Sequence, residues 1–277
     1  MSQARNFILL LTIYLLVAIS IGLFINSEFR NSVLIILTGL FISGAMLICI
    51  KILSQKNENR KKKILDDLVA TYRQIESLFS IYSSLNIESI LPPFRGWAIS
   101  PDFATLILSK MKEKKPMNIL ECGSGISTVL IAYRIKKNNK GHLYSFEHDS
   151  EYAELTLQLL KRHGLEQYVT ILNSPLIDHT INGNTWKWYD VNQIDKKITF
   201  DLVVVDGPPF QVQPKSRYPT LPLLDGYFNP DAVVLIDDCG REQDNEVIKD
   251  WLSEFNYYDS MWYDTEKGAF ALTKHNG

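Results

Sequence analysis

A glycine-rich turn between two short apolar runs, within residues 118–149, constrains the fold of this chain more than any other feature. Its parts are, in order, the run Ile119–Leu120 with Glu121, the turn Cys122-Gly123-Ser124-Gly125, a helical pattern from Ser127 to about Ile135, and the run His142–Phe146 with Glu147. A strand, a tight turn, a helix and a second strand in this order predict the first half of a nucleotide-binding α/β sheet.

The residues of this turn also indicate the kind of ligand. Gly123 and Gly125 allow a sharp turn and a close approach of the backbone to a ligand. Glu147, at the end of the second strand, is placed to accept hydrogen bonds from ribose hydroxyls. The third glycine of the dinucleotide fingerprint is replaced by Thr128, and Glu121 before the turn would repel a pyrophosphate but suit an ammonium group. An NAD-type oxidoreductase is therefore disfavoured.

The segments E-C-G-S-G and S-F-E-H-D resemble motif I and the second-strand acid of class I S-adenosylmethionine (SAM) methyltransferases. In that family the acid of motif I helps to hold the methionine ammonium of SAM, and the end of the third strand often contacts the adenine. The resemblance implies a SAM site made of Glu121, Gly123, Ser124, Gly125, Glu147, His148, Asn173, Ser174 and Asp206.

A second informative segment follows the apolar run 200–205 and reads D-G-P-P-F, beginning at Asp206. It resembles the V-D-G-P-P of small-molecule and glycan-type methyltransferases, whereas Gly207 interrupts the Asn/Asp-Pro-Pro-aromatic motif of enzymes that methylate amino groups. With a further strand at 232–236 and a terminal antiparallel pair at 257–263 and 269–273, the order of elements predicts the Rossmann-like, seven-stranded class I methyltransferase sheet with helices on both faces. The predicted domain spans residues 94–277.

Three acids follow neighbouring predicted strands and are the candidate catalytic residues: Asp206, Asp237 and Asp238. They resemble the metal-binding triad of cation-dependent O-methyltransferases, with Asp238 in the place of an Asn, which implies a possible Mg²⁺. Alternatively, Asp237 and Asp238 cap a helix and Asp206 alone orients donor or acceptor.

Three other residues are candidates for contact with the methyl acceptor. Arg217 and Arg241 are candidate clamps for an acidic acceptor, or else surface ion pairs. Trp97 belongs either to the core or to the wall of the pocket. The polar stretch 176–199 carries aromatic residues that line an acceptor pocket or form a small hydrophobic cap.

The N-terminal residues 1–55 predict a transmembrane hairpin with helices at about 7–25 and 33–53. The first run has no charge and spans about 28 Å as a helix, close to the thickness of a bilayer core. A cleaved signal peptide is the alternative for this run. Lysines and arginines crowd residues 51–63, so the positive-inside rule places the catalytic domain in the cytoplasm of a multi-pass membrane protein.

Residues 56–93 predict a basic juxtamembrane segment followed by an amphipathic linker helix at 64–85. Its apolar residues recur at spacings of three and four, as on one face of a helix. They are Leu65, Leu68, Tyr72, Ile75, Phe79 and Tyr82. This face predicts either packing against the catalytic domain or self-association into a homodimer.

Composition excludes several classes of function. The net charge of −2 gives no basic field for nucleic acid. Five histidines form no ligand pair, and three scattered cysteines fit a reducing compartment. The sequence thus predicts a membrane-anchored SAM-dependent methyltransferase that O-methylates a small or membrane-associated acceptor, such as a glycan or lipid-linked molecule. A SAM-binding membrane scaffold without catalysis is the alternative.

Overall fold

The computed structural model of the chain describes residues 9, 12–14, 16, 17, 19, 20 and 27–274. These residues belong to two compact units, Met1–Val69 and Ala70–Gly277. Residues 70–93, predicted as a linker, thus belong to the same unit as the predicted methyltransferase domain.

A single helix, α1, runs from Ser27 to Ser84 and passes from one unit into the other. It includes residues 27–32, predicted as a loop, and the basic segment 56–63, because no proline interrupts the sequence between residues 27 and 84. Among the described residues, one helical segment, Ile35–Ser84, is long and apolar enough to cross a membrane.

The first predicted membrane helix, residues 7–25, lies largely outside the described residues. The positions that are described between residues 9 and 20 are helical. The Tyr14 ring stacks on that of Phe41, with centroids 4.5 Å apart, near the middle of the two predicted spans. The hairpin itself stays a prediction.

The second unit is built on a seven-stranded sheet with the strand order β3-β2-β1-β6-β7-β9-β8. The strands are β1 (Asn118–Cys122), β2 (His142–Glu147), β3 (Val169–Asn173), β6 (Phe200–Val205), β7 (Phe228–Ile236), β8 (Tyr258–Tyr263) and β9 (Ala269–Lys274). Strands β1, β2, β3, β6 and β7 are parallel, and β9 lies antiparallel between β7 and β8. This confirms the predicted sheet and its terminal hairpin.

Helices cover both faces of the sheet. They are α2 (Pro101–Lys114), α3 (Ile126–Asn138), α4 (Ser150–Arg162), α5 (Thr220–Leu224) and α6 (Glu242–Glu254). Side chains alternate along each strand, so Leu202 and Val204 join the core under α2 and α3, while Val203 and Val205 join the core under α5 and α6.

The stretch 176–199 differs from its predicted loop-like character. It forms an antiparallel hairpin of β4 (Leu176–Ile181) and β5 (Asn184–Tyr189), turning at Asn182-Gly183. An Asn-Gly pair is the sequence that favours such a turn. Trp188 and Tyr189 at the end of β5 are fully buried and join the core under α5 and α6.

The C-terminal part of α1, residues 70–84, packs on the catalytic unit with the face opposite to the predicted one. Gln74, Ser77 and Ile81 are buried. The Gln74 amide donates to the Asp102 carboxylate at 2.8 Å and accepts from its backbone N–H at 3.2 Å. The apolar stripe is exposed instead: Tyr72 62%, Ile75 45%, Phe79 73% and Tyr82 50%. The prediction that this stripe packs against the catalytic domain is wrong.

Candidate active site

A cavity of about 550 Å³ opens at the carboxyl ends of β1, β2 and β6. Open parallel sheets bind their ligands at this edge, and the volume is in the range of small-molecule sites. The cavity joins the glycine turn and Glu147 on one side to Asp206, Asp238 and Lys267 on the other. It therefore connects the predicted donor residues with the predicted catalytic acids.

Glu147 is held at the cavity by donors from its own neighbourhood. Its carboxylate accepts from the backbone N–H and hydroxyl of Ser124 at 3.0 and 2.9 Å, and from the backbone N–H groups of His148 and Asp149 at 2.9 and 3.1 Å. Although burial opposes ionisation, the His148 side chain and these hydrogen bonds lower the pKa of Glu147. Gly123, with a φ of 99°, adopts the left-handed conformation that favours glycine and closes the turn beside Glu147.

Among the residues predicted to hold the cofactor, Gly123, Ser124, Gly125, Glu147 and His148 line the cavity. Two others do not. Asn173 is exposed outside it, and Ser174 is buried with its hydroxyl donating to the carbonyl of Asp190 at 2.9 Å.

Glu121 is also absent from the cavity wall, and its side chain is completely buried. One oxygen accepts from Thr128 Oγ1 at 2.5 Å and from Ser145 Oγ at 2.7 Å, while the other has no hydrogen-bond partner. Burial raises the pKa of Glu121 to about 7. In this structure Glu121 supports the glycine turn from below, and it does not face the space where the predicted ammonium contact would form.

Tyr189 is one of the aromatic residues in the stretch 176–199 that the sequence assigned either to an acceptor pocket or to a hydrophobic cap, and it lines the cavity. Its phenol oxygen is buried and has no hydrogen-bond partner, although the side chain lines the cavity. A Cβ atom added to Gly207 would clash with the phenol oxygen of Tyr189 and would lie 3.1 Å from the carbonyl oxygen of Cys122. A side chain at position 207 would therefore require Tyr189 or the Cys122 backbone to shift, and glycine avoids this.

The three predicted catalytic acids come together. One carboxylate oxygen each from Asp206, Asp237 and Asp238 lie within 4.8 Å of one another. Asp206 and Asp238 line the cavity, whereas Asp237 is fully buried behind them. Since neighbouring parallel strands end at one edge, this convergence is the expected consequence of their positions.

Arg217 lies among these acids and is not a clamp exposed to an acceptor. Its side chain is 3% exposed. Nη2 donates to Asp206 Oδ1 at 3.1 Å and to Asp238 Oδ2 at 2.6 Å, and Nη1 donates to the carbonyl of Asp237 at 2.5 Å. Arg217 also lines the cavity, so its predicted role in binding an acidic acceptor stays a prediction for a side chain that is already ion-paired with two acids.

The three acids differ in protonation because their surroundings differ. Burial raises the pKa of Asp206 to about 6, against the nearby charge of Arg217. Burial and the neighbouring carboxylates of Asp206 and Asp238 raise the pKa of Asp237 to about 8. The pKa of Asp238 is lowered by Arg217 and Lys267 despite its burial.

The spacing of these carboxylates suits a divalent cation, but their charges are already balanced by the protein. Arg217 contacts Asp206 and Asp238, and Lys267 Nζ lies 3.6 Å from Asp238 and 3.9 Å from Asp237. A bound Mg²⁺ would have to share these oxygens with two cationic side chains. The three carboxylates are therefore suitable ligands for Mg²⁺, but the positive charges of Arg217 and Lys267 beside them disfavour its binding.

The outer part of the cavity is more apolar and more exposed. Trp97 lines it and is 77% exposed, so its predicted alternative as a core residue is wrong. Arg241 lies over the Phe210 ring at 4.8 Å and pairs with Asp238 at 3.0 Å. The Arg241 side chain remains 42% exposed and accessible from the cavity. Apolar surface and one accessible cation thus surround the entrance.

Comparisons with known proteins agree with this geometry. Residues 120–239 match a family described as a methyltransferase domain. The SAH-bound methyltransferase PaMTH1 of Podospora anserina is 14% identical, with a TM-score of 0.51 over 65% of this chain and 81% of that chain. An O-methyltransferase of Bacillus cereus in complex with SAH is 16% identical, with a TM-score of 0.49 over 73% of this chain and 90% of that chain. TomG of Streptomyces achromogenes, an O-methyltransferase of tomaymycin synthesis in complex with SAM, is 18% identical, with a TM-score of 0.46 over 65% and 82%.

The family match runs from β1 to the acids after β7, so it contains Glu147 and Asp206, whereas Trp97, Arg241 and Lys267 of the cavity wall lie outside it. The likeness to the Podospora anserina structure shows a shared fold. The matched methyltransferase domain and the shared fold both lie in the second unit.

Proposed function

We propose that this chain is a membrane-anchored SAM-dependent methyltransferase that transfers a methyl group to a hydroxyl of a small or membrane-associated acceptor, such as a glycan or lipid-linked molecule. The observation that carries this proposal is the continuous cavity joining Glu147 and the glycine turn to Asp206. A donor site and a carboxylate base at adjacent strand ends are what methyl transfer to oxygen requires.

The side chains divide the work by position. Glu147 and the backbone of Gly123–Gly125 would hold the ribose and the amino-acid part of SAM, which when bound supplies an electrophilic methyl group on sulfur. Asp206 would accept the hydroxyl proton of the acceptor as the new O–CH₃ bond forms and the S–CH₃ bond breaks. Because burial raises the pKa of Asp206 to about 6, its carboxylate is a stronger base than one on the surface. Trp97 and Phe210 would bind the apolar part of the acceptor, and Arg241 an acidic group if it has one.

Calorimetric titration of the full-length chain in detergent micelles tests the donor. We expect binding of SAM in the micromolar range and no binding of NAD, since the third glycine of the dinucleotide fingerprint is Thr128. Binding of NAD in place of SAM would overturn the proposal. SAM binding without turnover on any glycan, lipid or phenol acceptor would favour the scaffold instead.

Membrane anchoring by two helices, with the second unit in the cytoplasm, is part of this proposal. The uncharged run 7–25, the apolar start of α1 and the contact between Tyr14 and Phe41 support a hairpin. The basic residues at 51–63 support a cytoplasmic location of the second unit. Protease protection in inverted membrane vesicles tests the orientation, because a cytoplasmic catalytic unit is digested there and a protected one would contradict it.

We further propose that the exposed stripe Tyr72, Ile75, Phe79 and Tyr82 pairs with the same stripe of a second copy. Apolar residues at alternating spacings of three and four are the pattern by which two identical helices pack. In the described part of the chain this stripe is exposed, and the opposite face of the helix makes the contacts with the catalytic unit. Two copies anchored in one membrane would meet with their helices parallel.

A further inference from the structure

The position of Arg217 bears on how the site handles charge. Four of its contacts converge on the ends of β6 and β7: the Asp206 and Asp238 carboxylates, and the carbonyl oxygens of Asp206 and Asp237 at 2.8 and 2.5 Å. A buried, planar guanidinium with this many fixed acceptors is held in one orientation. Arg217 is therefore a permanent part of the site.

Every acid of the cluster has a protein cation within 4.0 Å. Arg217 forms an ion pair with Asp206, and Lys267 lies within ion-pair distance of Asp237. Asp238 pairs with both cations and also with Arg241. Lys267 is fixed in turn, since its ammonium donates to the carbonyl of Ala98 at 3.0 Å. A divalent cation needs several of the same oxygens at about 2.0–2.6 Å, which would bring it close to these like charges.

We propose that Arg217, with Lys267, is the built-in cation of this site, and that the Asp206–Asp237–Asp238 cluster binds no divalent metal. This inference rests on the proposed function for its catalytic meaning. A metal would chelate two neighbouring oxygens of an acceptor and acidify a hydroxyl. Without it, the acceptor needs only one hydroxyl, whose proton passes to Asp206. The favoured acceptor class is thus a single alcohol or phenol, and not a chelating diol.

Titration of the full-length chain in detergent micelles with MnCl₂ tests the metal directly. We expect no saturable heat for the wild type up to roughly 1 mM, a concentration that reaches the weak end of the range of dissociation constants for carboxylate cation sites. Saturable binding that disappears in Asp238→Asn would overturn the proposal.

Arg217→Met removes the charge and keeps the apolar stem, so it should make room for a cation. We expect it to bind Mn²⁺ at least about tenfold more tightly than the wild type, with a melting temperature that rises with Mn²⁺. A folded Arg217→Met chain that still ignores Mn²⁺ would contradict the role of Arg217. If this variant does not fold, Lys267→Met replaces it, because it removes the second cation from a less buried position.

SAM affinity, measured with and without EDTA, separates this inference from the proposed function. Equal affinity within about twofold in both buffers agrees with a site free of metal. Loss of SAM binding in EDTA would overturn the inference and leave the methyltransferase proposal intact. Absence of SAM binding in both buffers would overturn the methyltransferase proposal alone, since the Mn²⁺ titration is read without SAM.

Discussion

The two acidic ends of the cavity hold negative charge by different means. Around Glu147 the hydrogen-bond donors are the Ser124 hydroxyl and the backbone N–H groups of Ser124, His148 and Asp149, and the pKa is lowered. Around Asp206 and Asp237 the partners are the charged side chains of Arg217 and Lys267, and burial raises the pKa values. Hydrogen bonds from uncharged groups thus leave Glu147 charged, whereas burial raises the pKa of Asp237 to about 8 and keeps its proton bound near neutral pH in spite of the nearby cations.

Of the substitutions at the two ends of the cavity, we expect the one at Arg217 to lower the free energy of unfolding most. Arg217→Met leaves Asp206 and Asp238 buried beside each other with less compensation. We expect the free energy of unfolding to fall by about 3–5 kcal/mol, as when one partner of a buried pair is removed. Urea unfolding at neutral pH measures this.

Arg241→Met is the matched control, because it removes a cation from the same Asp238 but from an exposed position. We expect a loss of no more than about 1 kcal/mol. Equal losses in the two variants would show that burial does not set the strength of these pairs.

Gly207→Ala tests the close packing between the two ends. The added Cβ would meet Tyr189 Oη and the Cys122 carbonyl, so we expect a destabilisation of about 1–3 kcal/mol in urea unfolding. Adding Tyr189→Phe removes the nearest atom and should restore part of the loss.

Gly226→Ala is the control for this substitution, since no neighbouring atom lies within 4 Å of its added Cβ. It should change stability by less than about 0.5 kcal/mol. A harmless Gly207→Ala would mean that the segment moves easily away from Tyr189.

Glu147→Ala tests the role of the other end of the cavity in binding SAM. Loss of the ribose acceptor should weaken SAM binding at least about tenfold, equal to about 1.4 kcal/mol, measured by calorimetry. Glu151→Ala, an exposed acid in the first turn of α4, should leave the affinity unchanged. Equal affinity in Glu147→Ala would remove Glu147 from the donor site.

The raised pKa of Asp237 predicts a dependence of stability on pH. The folded chain keeps a proton on Asp237 up to about pH 8, while an unfolded chain loses it near the ordinary value of 3.8. Raising the pH from 4 to 8 therefore favours the unfolded state and lowers the free energy of unfolding. The variant Asp237→Asn has no titrating group at this position. Between pH 5 and pH 9 the free energy of unfolding of this variant should therefore rise by at least about 1 kcal/mol relative to that of the wild type. Parallel urea curves for both chains across this range would contradict the assignment.

The smallest expected effect on folding is at the exposed stripe of α1. Phe79→Glu should abolish self-association in sedimentation experiments while changing stability by less than about 0.5 kcal/mol. Ser80→Glu places the same charge on the adjacent, exposed position and should leave association intact. A wild-type chain that is monomeric at all concentrations would contradict the proposed pairing.

Local sequence predicted the sheet and one half of the site. The turn at Gly123 and the acid at Glu147 follow adjacent strands, and the convergence of Asp206 with Asp237 and Asp238 follows from parallel strands ending at one edge. Their partners were not predictable in the same way. Arg217 and Lys267 reach the cluster from loops whose paths depend on tertiary packing, and no local pattern ties them to it.

The stripe at 72–82 shows a second limit of sequence patterns. Helical periodicity identified an apolar face, and the rule that such faces are buried predicted the wrong side. The face that packs instead buries Ile81 and holds Gln74, whose amide makes two hydrogen bonds with Asp102. The hairpin β4–β5 was missed because its alternation was weak, although Asn182-Gly183 was a usable turn signal.

The hydroxyl of Ser124 contacts both Glu147 Oε2 at 2.9 Å and Thr156 Oγ1 on α4 at 3.1 Å. A ligand diol that approaches Glu147 would compete with the Ser124 hydroxyl for the carboxylate, and Ser124 has Thr156 as a second partner. Ser124 would keep its hydrogen bond with Thr156 when it releases Glu147, and a ligand hydroxyl would replace it as the donor, so the carboxylate would keep the same number of hydrogen bonds. In the ligand-free protein the Ser124 hydroxyl thus occupies the position of a sugar hydroxyl, and ligand binding replaces one hydroxyl donor to Glu147 with another.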